Sequence, residues 1–140
     1  MSEQSFSIYA SGRCSKMSGK GVWVASTYAN GPKPYCVEFD GIAACSTPRS
    51  LIVKALTKAL ADLERDERLV VLYVDDSDLA GTIADIIASK PLPDSAGSGP
   101  VWERFLFQLG RHDVLLGRFD PAEKNARELL ARLDEFLGEP

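Results

Sequence analysis

Residues 69–83 read LVVLYVDDSDLAGTI. The first six form an unbroken apolar run, as expected of a strand covered on both faces. Asp75 stands at its end. From 77 to about 89 the pattern turns helical, and Asp75, Asp76 and Asp78 crowd the start of that helix, where carboxylates are favoured. A helix also precedes the run, at about 47–64. Thr47-Pro48 supplies its N-cap and first-turn proline. Ile52, Leu56, Ala59, Leu60 and Leu63 line one of its faces, and Lys54, Thr57, Lys58 and Asp62 the other. A strand entered from a helical crossover lies parallel to a neighbour in its sheet.

Upstream lie three further strands. Residues 5–10 form the first and 21–28, GVWVASTY, the second. Residues 34–40, PYCVEFD, form the third, with Tyr35, Val37 and Phe39 on one face and Cys36, Glu38 and Asp40 on the other. ANGPK, 29–33, is a strong hairpin turn, so the three strands read as an antiparallel meander. The first strand is expected to stop at Ser11-Gly12-Arg13, where a strand end often presents a catalytic side chain. The residue there is a serine.

Downstream, KPLPDSAGSGP (90–100) reads as a loop, VWERFLFQLG (101–110) as a helix and DVLLGRF (113–119) as a fifth strand. The last helix opens at DPAEK, with Asp120 as cap, Pro121 in the first turn and Glu123 at the capping-box position. Ala126, Leu129, Leu130, Leu133, Phe136 and Leu137 form its apolar stripe. The order is βββ-α-β-α-α-β-α. No internal repeat or linker divides it, which predicts one domain over 1–140 with its core at 4–137.

The 16 Lys and Arg against 20 Asp and Glu leave a formal charge of −4, a poor balance for holding a polyanion, whose affinity comes from clustered positive charge. Cys14, Cys36 and Cys45 are an odd number without metal spacing, and they read as free thiols in a reducing compartment. No apolar run approaches membrane length and nothing resembles a signal peptide, so the expectation is a cytoplasmic protein.

This order resembles the ribonuclease H fold, a five-stranded mixed α/β sheet whose first three strands are antiparallel, with helices on both faces. The resemblance spans about residues 5–136. YASGRCSKMSGKGVW is similar to the family's opening, LYVDDSDLAGTI to its fourth strand and following helix, and VWERFLFQLGRHDVLLGRF to its Trp-bearing helix, turn and fifth strand.

The resemblance implies two-metal phosphodiester hydrolysis, in which magnesium ions activate a water and stabilise the leaving oxygen. It also implies four acids: one ending strand 1, one early in the first helix, one ending strand 4 and one near the last helix. The first position is Ser11. The second falls near Ser50, Leu51 or Ile52, and no Asp or Glu occurs from Gly41 to Ala61. The third is Asp75, retained. The fourth falls near Arg127, with Glu128 adjacent and Asp120 and Glu123 one or two turns earlier. The histidine-bearing loop before that helix is shortened to GRFDPAEK. A serine oxygen does not neutralise a cation, so weak or absent metal binding is expected, and no cofactor.

Most other candidates have an ordinary reading. Ser11 as a nucleophile lacks a nearby base, and a turn-capping hydroxyl fits better. Asp75-Asp76-Ser77-Asp78 serves well as an N-cap cluster. His112, the only histidine, reads as a surface turn residue. Trp23 and Trp102 suit core packing better than base stacking. Lys54, Lys58, Arg65 and Arg68 are interleaved with Asp62, Glu64, Asp66 and Glu67, as on a solvated face.

Three function classes follow. The residues favour a non-catalytic ribonuclease H-like module, a pseudoenzyme acting through a protein partner or as a homodimer. The alternative is a Mg- or Mn-dependent nuclease acting on RNA/DNA hybrid through a site rebuilt from Asp75, Asp76, Glu38, Asp40, Asp120 and Glu123. The third is a nucleic-acid binder that uses Arg13, Lys16 and Lys20 around the glycine-rich turn, although the trimmed loop at 88–100 weakens that grip.

Overall fold

A computed structural model describes residues 5–15, 19–30, 35–44, 47–63, 69–88 and 99–138. Among them run β1 (Ser5–Cys14), β2 (Lys20–Asn30), β3 (Tyr35–Ala44), α1 (Pro48–Ala61), β4 (Leu69–Val74), α2 (Ser77–Ala88), α3 (Pro100–Arg111), β5 (Asp113–Leu116) and α4 (Lys124–Leu137). The five strands form one sheet in the order β3-β2-β1-β4-β5. β1, β2 and β3 pair antiparallel, and β4 lies parallel to both β1 and β5. The mixed α/β sheet expected from the sequence is therefore present.

α1 packs on β1, β2 and α3 on one side of the sheet, while α4 crosses β1 and β2 on the other. Alternation along the strands sorts the residues. Phe6, Ile8 and Ala10 join Ile52, Leu56, Leu60, Leu72 and Phe105 in the larger core. Tyr9, Val22 and Val24 meet Ala126, Leu129 and Leu133 of α4 in the smaller one. Thr47 caps α1 as its sequence predicts, its hydroxyl accepting from the Ser50 N–H at 3.1 Å. Trp23 and Trp102 are both packed against the larger core.

The structure corrects several local expectations. β1 does not stop at Ser11: it runs to Cys14, still paired to β2 through Gly12↔Trp23 and Cys14↔Gly21, after its parallel ladder with β4 has ended at Ala10↔Val74. Gly12 serves packing, not a turn, because a Cβ there would stand 2.7 Å from the Leu51 Cβ of α1. β5 ends at Leu116, short of the expected 119; Gly117 then donates its N–H to the Leu72 carbonyl at 2.8 Å and passes against the Tyr73 ring.

α4 begins at Lys124 and not at Asp120. The Asp120 carboxylate accepts the Ala122 N–H at 2.9 Å and forms a separate turn. The capping box does not form, because the Glu123 carboxylate is engaged by Tyr9 instead. His112 is not a surface residue: it is buried at the end of α3, where the chain turns into β5. Cys14 is disulfide-bonded, which overturns the free-thiol reading for it; its partner lies outside the described residues. Cys36 is free and exposed. Among the described residues, no helix is long and apolar enough to cross a membrane.

Candidate site at the ends of the central strands

β1 and β4 are the central parallel pair, and the ends of such strands gather functional side chains in open α/β sheets. The Asp75 N–H donates to the Ala10 carbonyl at 3.2 Å, which holds the first residue after β4 against β1. The Ser11 hydroxyl, 1% exposed, donates to the Asp75 Oδ2 at 2.8 Å. Ser11 therefore caps no turn. It is a buried donor to the Asp75 carboxylate.

The neighbouring acids are also engaged. Asp76 Oδ1 accepts the Leu79 N–H at 2.9 Å and so caps α2. Its other oxygen, Oδ2, faces the Arg49 Nε at 3.6 Å, and Asp78 lies 3.9 Å from the same guanidinium. Arg49 occupies the first turn of α1, where a cation opposes the helix dipole; the two aspartates offset that cost. Arg118 joins Asp75 and Asp76 in lining a cleft of about 400 Å³. Ser50 takes part in the α1 cap, its hydroxyl donating to the Thr47 carbonyl at 2.9 Å.

The remaining candidates lie elsewhere. The Tyr9 hydroxyl donates to Glu123 Oε1 at 2.7 Å, and its ring stacks on Tyr73 with centroids 4.4 Å apart. Burial, reinforced by the Glu123 carboxylate, pushes the Tyr9 phenol well above its ordinary range. Glu38 and Asp40 pair with Arg132, at 3.8 and 3.3 Å, on the β3 edge of the sheet. Two strands, β2 and β1, separate β3 from β4. Arg127 is exposed on α4. Arg13 pairs with Asp134 of α4, Lys20 is exposed, and Lys16 lies outside the described residues. Arg65 and Arg68 also lie outside them.

Arg49 and Arg118 escaped the sequence reading. For Arg49 there was a signal, a basic residue directly after the first-turn proline of a helix. Arg118 carried none, because its place in the lining of this cleft depends on where β5 ends.

The architecture has solved counterparts. LC9-RNase H1, a type 1 RNase H with the type 2 active-site motif, superposes with a TM-score of 0.72 at 11% identity, over 94% of this chain and 71% of that one. The N-terminal RNase H domain of rv2228c from Mycobacterium tuberculosis gives 0.63 at 13% identity, over 96% of each chain. The chain has the ribonuclease H-like fold. No family profile and no curated protein sequence matches it.

On this ribonuclease H-like domain the donor set does not suit a pair of divalent cations. Magnesium asks for several carboxylate oxygens converging on one point. Here Asp75 receives a hydroxyl donor, Asp76 and Asp78 share a guanidinium, and Glu123 receives the Tyr9 hydroxyl. Among the described residues, no three acidic, histidine or cysteine side chains group closely enough to hold a metal ion.

Proposed function

We propose that this ribonuclease H-like domain is a non-catalytic binding module whose metal-dependent nuclease site has been lost. The observation that carries the reading is the pairing of Asp75 with the Ser11 hydroxyl where the resemblance calls for a second carboxylate. Two divalent ions bring four positive charges. Asp75 returns one, and Arg49 adds a cation beside Asp76, so the charge balance opposes a metal pair. The fold then supplies a scaffold and the surface supplies the function.

Two measurements test this. Titration calorimetry with Mg²⁺ or Mn²⁺ is expected to give no saturable binding at micromolar to low-millimolar levels. A labelled RNA/DNA hybrid incubated with Mn²⁺ is expected to stay intact. Binding of two ions in that range, or cleavage abolished by Asp75→Asn, overturns the proposal in favour of a working nuclease.

A further inference from the structure

A second concave surface lies away from the strand ends, between α1, α3 and the β2–β3 side of the sheet. It is a groove of about 340 Å³ lined by Trp23, Lys54, Thr57, Lys58, Val101 and Arg104. Trp23 forms its aromatic wall. The indole covers Gly41 of β3, where a Cβ would stand 2.4 Å from the ring. The glycine thus lets the ring lie against the strand, and the ring also borders the groove.

Three cations surround this wall. Lys54 and Lys58 stand one helical turn apart on α1, and Arg104 approaches from the first half of α3. Lys58 Nζ lies 5.7 Å from the Phe39 ring centroid. Among the described residues none of the three forms an ion pair, although Asp62 and Glu103 belong to the same stretches of chain. In a chain of net charge −4, three cations around one groove make a local positive patch. Phe107, 68% exposed, sits one turn beyond Arg104 on the same side of α3 and adds a second aromatic surface.

From this arrangement we infer that the groove binds single-stranded nucleic acid, with a base stacked on Trp23 and backbone phosphates held by Lys54, Lys58 and Arg104. The inference deepens the binding-module reading by naming its ligand class. An acidic peptide would satisfy the cations but leave the indole without a planar partner. A nucleotide satisfies both, and aromatic stacking combined with a basic track is the general basis of single-strand binding. The groove is of the size that accepts one small planar group.

The test is fluorescence anisotropy of the full chain with a fluorescein-labelled thymidylate dodecamer, in EDTA so that no metal-dependent cleavage intervenes. Saturable binding is expected. Three phosphate contacts give a slope of log K against log salt of about −2. Lys54→Ala with Arg104→Ala is expected to weaken binding about ten-fold or more and to flatten that slope. Trp23→Leu is expected to lose about ten-fold, and Trp23→Phe to retain most of the affinity. Both cationic side chains extend from helix surfaces, so the double variant keeps the result readable if Trp23→Leu fails to fold. Lys124→Ala, on α4, is expected to change nothing.

Absence of binding overturns the inference. So does binding that is indifferent to the Lys54 and Arg104 substitutions, or displacement by polyglutamate but not by unlabelled strand. Cleavage of a hybrid in Mn²⁺ overturns the non-catalytic reading alone and leaves the groove untouched.

Discussion

Ser11 and Asp75 meet through a 2.8 Å hydrogen bond where the parallel ladder of β1 and β4 has just ended. The donor is buried and the acceptor's residue is exposed, so the carboxylate keeps contact with water while one oxygen is held. Ser11→Ala removes that donor, and urea unfolding is expected to show a loss of about 1–2 kcal/mol. Ser11→Asp instead places two carboxylates together. It is expected to be less stable than Ser11→Ala at neutral pH, and to recover melting temperature on addition of Mn²⁺ where the parent chain does not respond.

Glycines at two positions are expected to respond with opposite sign. Gly12→Ala drives a Cβ to within 2.7 Å of Leu51 and 3.3 Å of the Pro48 carbonyl, neither of which can swing aside. The expected cost is about 1–3 kcal/mol. Gly81 lies in α2 with open space around it, and Gly81→Ala is expected to stabilise by about 0.5–1 kcal/mol. Chemical denaturation of the two variants side by side checks both signs.

The Tyr9 hydroxyl provides a test in alkali. Its folded-state pKa is raised, first by burial and then by the Glu123 carboxylate. The folded state therefore holds the phenolic proton more tightly than the unfolded chain does. The associated stability is fully present below the ordinary phenol range, near pH 10, and is lost as pH rises from there toward the folded value. Tyr28 is raised by burial and by Cys36 and shifts in the same direction. Tyr9→Phe is expected to be less stable at neutral pH by about 1 kcal/mol. It is also expected to show a shallower loss above pH 10, followed by circular dichroism.

The helix on the far face depends on a small core. Leu129 is fully buried between α4 and the sheet, with Ala126 and Leu133. Leu129→Ala is expected to cost about 2–5 kcal/mol, measured by the urea midpoint.

Much of this fold was legible in local pattern. The apolar run at 69–74, the capped helix before it and the meander of 5–40 are short-range signals, and they suffice for a mixed sheet with one crossover. The absence of acids from 41 to 61 is plain in the chain itself. The same patterns misread three places. Gly12 reads as a turn only when α1 is out of view, Asp120 reads as a helix cap only when Tyr9 is not there to draw off Glu123, and His112 reads as exposed because burial is a property of neighbours.

The composition and periodicity of the chain determined its strands, its helices and its poverty of carboxylates where the resemblance requires them, because each is written within a few residues. Which charges meet was decided only by tertiary packing. Arg49 reaches Asp76 across 27 positions, Ser11 reaches Asp75 across 64, and Trp23 comes to share a groove with Arg104. Coulomb and hydrogen-bond energies depend on distance in space. No reading of nearest neighbours along the chain contains that distance.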